Sequence, residues 1–270
     1  MKGGLEMMDN GVTVLNFDDT YYAHKYLQKP LYEWLDLSDI RSTNGYCERV
    51  AFFKIRQRLK KRKNKRITLI GNGNYHYVSY LFLSEIKEPF SLVLFDYHTD
   101  MLDVQCHGVL SCGSWVLEAL RNNPMLQKVL IIGVNQEYIK LIPQSFQDRV
   151  LVITDSMIEQ GDYSLESVLA ELTDKVYISI DKDVLDCKDA FTNWEQGTMT
   201  LEELTRNITY VAKTKKISGV DICGEYSCSL ADIYLPKSRE ANKKNERANK
   251  LLIKAVREFN FGKQKKHRVS

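Results

Sequence analysis

The sequence predicts a single α/β domain of three layers, α/β/α, built on a mostly parallel sheet of about seven or eight strands. Two patterns predict it. Short, uninterrupted apolar runs alternate along the chain with amphipathic stretches of helical length. Strands buried on both faces and covered by crossover helices read in this way. A third observation sets the boundaries: no internal repeat, low-complexity tract or linker interrupts the alternation. Residues 1–270 therefore read as one domain, with 239–270 a C-terminal helix and basic tail.

The elements follow in order. A first strand is expected over Val12–Phe17, then a helix over Tyr46–Leu59 that runs into Lys60-Lys61-Arg62-Lys63-Asn64-Lys65-Arg66. Cationic side chains at a helix C-terminus oppose its negative dipole end, so this run reads as a solvated helix end. Strands are expected at Ile67–Ile70 and Leu92–Phe95, and a helix at Ser114–Asn122. Ser111-Cys112-Gly113-Ser114 lacks the Gly-x-Ser-x-Gly elbow pattern and reads as a loop with an N-cap. Strands at Val129–Ile132 and Val150–Ile153 precede a helix at Ser164–Leu172 and a strand at Val176–Ile180. A helix at Leu201–Ala212, a strand at Ile217–Ile222 and a helix at Arg239–Phe259 complete the series.

Composition narrows the function class. Hydrophobic content of 44% and charged content of 27% are those of a globular protein. A net charge of +3 is too small to imply a nucleic-acid partner, and no apolar run has the length of a membrane span. Met1–Asn10 lacks the apolar segment of a secretory signal. The six cysteines include no Cys-x-x-Cys pair, so reduced thiols and a cytoplasmic location are expected.

Chemistry concentrates at three strand exits. Asp96-Tyr97-His98-Thr99-Asp100 follows the run ending at Phe95, Asp181-Lys182-Asp183 follows Val176–Ile180, and His76 lies just past Ile67–Ile70. In extended chain, residues i, i+2 and i+4 project to one side. Asp96, His98 and Asp100 can thus converge on one point, and Asp181 with Asp183 can meet them from another strand. Ligands of open α/β sheets collect outside the carboxyl ends of the strands. Four carboxylates crowded there repel one another unless cations balance them. His76, Asp96, His98, Asp100, Asp181 and Asp183 make a hard, oxygen-rich set suited to two divalent cations. Gly71-Asn72-Gly73 has no following Gly-Lys-Ser/Thr and reads as a tight turn delivering His76.

With these motifs placed, the chain resembles the arginase/agmatinase/formiminoglutamase family, the ureohydrolases. Gly73-Asn74-Tyr75-His76, Asp96-Tyr97-His98-Thr99-Asp100 and Ser179-Ile180-Asp181-Lys182-Asp183-Val184-Leu185-Asp186-Cys187 match that family's three metal motifs in order and separation, from about Ile67 to Ser229. The resemblance implies an arginase-like fold and two Mn²⁺ ions per chain. His76, Asp96, Asp100 and Asp181 would hold one, and Asp96, His98, Asp181 and Asp183 the other. Zn²⁺, Co²⁺ and Fe²⁺ are the alternatives this donor set admits. It also implies that Glu225, after the last strand, engages a substrate guanidinium and that His107 helps in proton transfer. Departures surround the cage: Tyr75 replaces an aspartate, Tyr97 a small residue and Cys187 a proline. Leu102 lies where free-arginine hydrolases carry polar residues, and Lys182 sits between two ligands.

The leading expectation is a metal-dependent amidinohydrolase that cleaves a linear C–N bond of a guanidino or amidine substrate and releases urea from a guanidine. Water activated between the cations would attack the trigonal carbon, with Asp100 taking the proton. The partner would be a small cationic guanidino compound or an arginine within a peptide, with no nucleic acid or membrane involved, and the resemblance implies a homo-oligomer. A deacetylase-like amide hydrolase of the same fold and a catalytically silent metal-binding protein are the competing readings.

Overall fold

The computed structural model describes residues 11–104, 109–228 and 231–258. Its centre is an eight-stranded sheet in which every pairing is parallel. Along the chain come β1 (Val12–Asn16), β2 (Tyr32–Asp36), β3 (Tyr46–Glu48), β4 (Ile67–Leu69) and β5 (Phe90–Phe95). They are followed by β6 (Val109–Ser111), β7 (Leu126–Val134), β8 (Val150–Thr154), β9 (Lys175–Asp181) and β10 (Lys216–Cys223). The sheet runs β2-β1-β4-β10-β9-β5-β7-β8, while β3 and β6 pair antiparallel to each other outside it.

Among the described residues seven α-helices accompany the strands: α1 (Arg49–Leu59), α2 (Ser79–Leu83), α3 (Trp115–Asn122), α4 (Asp155–Gln160), α5 (Leu165–Ala170), α6 (Leu201–Thr214) and α7 (Pro236–Arg257). Side-chain alternation along the strands divides the core in two. Leu92 and Leu94 of β5 pack with Ile55, Leu81 and Trp115 of α1 to α3. Val93 and Phe95 face the other way, into a cluster with Leu204 and Ile208 of α6 and Leu252 of α7. The expected α/β/α layering follows directly, because a strand covered on both faces has no polar side. Helix α6 begins with a capping box in which Thr200 and Glu203 satisfy each other's backbone N–H groups.

Some expected boundaries move. The expected helix Tyr46–Leu59 starts at Arg49, because Tyr46–Glu48 pairs with Ser111–Val109 as strand. Strand β2 carries only partly buried or exposed residues, as an edge strand does, and offers no apolar run. The expected helix end at Phe259 lies outside the described residues.

Candidate metal centre

Strands β4, β10, β9 and β5 lie side by side, and residues at or after the C-terminal ends of β4, β9 and β5 line a common cavity of about 670 Å³. All six candidate ligands line it: His76, Asp96, His98, Asp100, Asp181 and Asp183. A turn of 3-10 helix over Gly73–Val78, capped by the Asn72 side chain, delivers His76 from β4. Asp96, His98 and Asp100 leave the end of β5, and Asp181 ends β9 and caps the turn that carries Asp183.

The donors form two groups joined by one residue. His76 Nδ1 lies 3.3 Å from Asp96 Oδ2, 3.1 Å from Asp100 Oδ2 and 3.5 Å from Asp181 Oδ2. His98 Nδ1 lies 3.0 Å from Asp183 Oδ2 and 3.4 Å from Asp96 Oδ1. Asp96 thus sends one oxygen to each group. Asp181 turns Oδ2 to the His76 group, while its Oδ1 accepts the Asp183 N–H at 3.1 Å. Asp96 is the residue whose two oxygens face the two groups directly.

Supporting contacts fix the orientation of these groups. The Ser179 hydroxyl donates to Asp221 Oδ1 at 2.6 Å, so its oxygen accepts from His76 Nε2 at 2.9 Å. Nδ1 is then the nitrogen facing the carboxylates, and it offers a lone pair to a cation once its proton is displaced. Trp115 Nε1 donates to Asp100 Oδ2. Asp100 itself has φ of 50°, a left-handed conformation that costs a non-glycine residue about 1–3 kcal/mol and marks a site that constrains its backbone.

The electrostatics fit missing positive charge. Burial and then the charge of Asp96 push Asp100 up to about 6, against His76. Burial, followed by neighbouring carboxylates, also raises Asp181 and Asp183. Burial would lower His98, but its bonds to Asp183 and Asp96 prevail and push it up to about 12. Protonated imidazoles thus supply the counter-charge that divalent cations would supply on displacing those protons. Asp96 Oδ2 is buried with no hydrogen-bond partner, an orphan that a cation would satisfy.

Two expected site residues need separate statements. Glu225 is a correction: it is fully buried, pairs with the equally buried Lys182 and does not line the cavity. Asn249 of α7 completes the pair, donating to Glu225 Oε1 at 2.6 Å and accepting from Lys182 Nζ at 3.1 Å. Lys182 opens the 3-10 turn that follows β9, and its side chain leaves the cavity for Glu225 and Asn249. Gly224, at φ 83°, breaks the extended run after Cys223 and turns Glu225 toward Lys182. A Cβ at Gly224 would lie 2.4 Å from Asp181 Oδ1, so the close approach also demands glycine. His107 lies outside the described residues.

The altered neighbours are absorbed by the fold. Tyr75 is buried and stacks on Phe17 with ring centroids 4.3 Å apart. The Tyr97 hydroxyl accepts from Asn135 at 2.6 Å, away from the ligands, while its ring meets His98 edge-on. Sequence reading missed Trp115, Ser179, Asp221 and Cys223 as parts of the centre. Cys223 Sγ lies 3.0 Å from Asp181 Oδ2; only the register of β10 against β9 brings it there.

Comparison with known proteins agrees with this geometry. The chain is 34% identical over 159 residues to an uncharacterized protein of Thermotoga maritima, covering 59% of this chain and 58% of that protein. It is 29% identical over 167 residues to an agmatinase of Pyrococcus horikoshii, covering 59% and 55%. The chain thus matches less than two thirds of the length of either relative. In structure it resembles formimidoylglutamase from Bacillus subtilis, with a TM-score of 0.66, 16% identity, and coverage of 93% of this chain and 88% of that one. The sequence pattern of the Arginase family matches residues 13–231, which takes in every described candidate ligand, and the chain belongs to that family.

Proposed function

We propose that this protein is a dinuclear metal-dependent hydrolase acting on a linear C–N bond of a guanidino or amidine compound. The observation that carries the reading is the pair of donor groups on the cavity floor, joined through the two oxygens of Asp96. His76, Asp96, Asp100 and Asp181 would hold one cation, and Asp96, His98 and Asp183 the other. Two bound divalent cations, Mn²⁺ being the family-like choice, would supply Lewis acidity that activates water and stabilises charge at the reacting carbon.

The chain's own groups do the rest. Asp100 Oδ2 is engaged by His76 and Trp115, so Oδ1 is the atom that accepts a proton and returns it to the departing amine. His107 is assigned the exchange of protons with bulk water. Tyr138 and Trp194 flank His98, with ring centroids 5.0 and 5.8 Å from its ring. Flat cationic groups stack on such faces. Glu195, held by the Tyr138 hydroxyl at 2.8 Å, supplies the negative charge that Glu225 does not.

No lysine or arginine is among the described residues lining the cavity. A guanidine with an uncharged or amine-bearing tail suits it better than one ending in a carboxylate. The internal Lys182–Glu225 pair leaves less selection for cations than expected, so neutral amides belong in the same test. The test is release of urea or ammonia from agmatine, arginine, guanidinobutyrate, guanidine, formiminoglutamate, an arginyl peptide and an acetyl-lysine analogue, each with Mn²⁺, Zn²⁺ or Co²⁺. Turnover of a carboxylate-free guanidine is expected. Turnover of the acetylated compound alone would replace the reading with amide hydrolysis, and silence across the panel would leave a metal-binding protein without this activity.

A further inference from the structure

We infer that Cys223 is a metal ligand on the His76 side of the centre, and that its thiolate biases that position toward a softer cation, Zn²⁺, Co²⁺ or Fe²⁺, over Mn²⁺. The inference rests on the dinuclear reading above and adds a donor to it.

The topology shows where the donor comes from. Of the four adjacent strands β4, β10, β9 and β5, three deliver ligands at their ends: His76, Asp181 and Asp96. The fourth, β10, lies between β4 and β9 and ends at Cys223. Cys223 is in direct register with Asp181, and residues in register on neighbouring strands project to the same face. Its sulfur, a ring nitrogen of His76 and a carboxylate oxygen of Asp181 all lie within 4.8 Å of one another, and all three residues are buried. Donors around one cation at bond lengths of roughly 2.0–2.3 Å sit about 3–4 Å apart, so modest adjustment suffices. The partnerless Asp96 Oδ2, 3.3 Å from His76 Nδ1, independently marks this group as short of a cation.

Chemistry sets the consequence. Thiolate is the softest donor in the set, and sulfur ligands favour zinc, cobalt or iron over manganese. Cys223 would lose its proton to solvent as the sulfur–metal bond forms. Among the described residues no cysteine joins the His98 group within this range, so on those residues the two positions differ in preference.

The test loads the metal-free full chain with Co²⁺ and follows near-ultraviolet absorption. A sulfur-to-cobalt charge-transfer band is expected, lost in Cys223→Ser and retained in Cys106→Ser and in Cys112→Ser. Serine keeps the hydrogen bond to Asp181 but not the soft donor, which separates ligation from positioning. In competition, Zn²⁺ affinity should fall about tenfold or more in Cys223→Ser, the scale of losses at metal sites, with Mn²⁺ affinity changed less. If the serine variant does not fold, cadmium NMR of the wild type and the two control variants decides, sulfur ligation displacing the resonance downfield. Absence of the band, or its survival in Cys223→Ser, overturns the inference and leaves the dinuclear reading intact. Stoichiometry is read separately: one cation bound in place of two overturns the dinuclear reading, while the band still decides the ligand.

Discussion

Glu225→Gln separates a structural carboxylate from one that meets substrate. Glu225 and Lys182 are both fully buried, and Asn249 is the further polar group bonded to each. Glutamine keeps the shape and a carbonyl but leaves the Lys182 ammonium buried without counter-charge. Removing one partner of a buried pair costs about 3–5 kcal/mol. A chain of this size loses roughly 2–4 °C of Tm per kcal/mol, so the variant should melt about 10 °C lower. Burial alone would raise the Glu225 pKa, but Lys182 outweighs it and holds it below 4.5. The pair's contribution is therefore complete above that pH and lost as pH falls through the lower, folded value. Circular-dichroism melts near neutral pH, with and without cation, read the effect. Lys182→Met combined with Glu225→Gln removes both charges and should recover much of the loss. A single Glu225→Gln variant with unchanged Tm and a raised KM for guanidines would refute the placement, because that is the signature of a substrate contact.

The other expectations concern the cations. Asp96→Ala should lose both, since each oxygen serves a different group, and elemental analysis should fall from about two ions per chain to well under one. Trp115→Phe frees Asp100 Oδ2 and should weaken metal binding about 10–100-fold, measured by competition with a chelating dye. Asp100 is raised from 3.8 to about 6 by folding, so the folded state holds its proton more tightly. Metal-free protein should therefore lose up to about 3 kcal/mol as pH rises from 4 to 6, and saturating cation should reverse the trend; melts across that range check the sign.

What could be read from sequence was local. Each ligand cluster sits within a few residues of an apolar run, so its place at a strand exit was legible. But β5 ends at Phe95 and Asp100 has φ of 50°, so a turn and not strand alternation sends Asp100 to the His76 group and His98 to Asp183. The order of motifs carried the family. Strand β2 escaped because an edge strand with half-buried faces has no continuous apolar signal, and α2 and α4 are too short for a helical period to register. Glu225 was misjudged because its direction depends on the positive φ of Gly224 and on Lys182 reaching across from the turn after β9. Lys182 could be expected to point away from Asp181, but what waited on the other face could not. Cys223 is the converse case: an ordinary residue ending an apolar strand, made relevant by one register pairing.

The Lys182–Glu225–Asn249 contact also bears on the order in which the molecule can be finished. Its members come from the turn after β9, the segment after β10 and α7, so a chain still emerging from the ribosome presents Lys182 long before Asn249 exists. Until α7 arrives, the segment between the Asp181 and Asp183 ligands carries an ammonium with nowhere dry to go. Contacts so distant in sequence close late. The last long helix thereby acts as a completion signal for a centre it never touches, and a chain cut before Pro236 should fail to retain cations that the full chain holds.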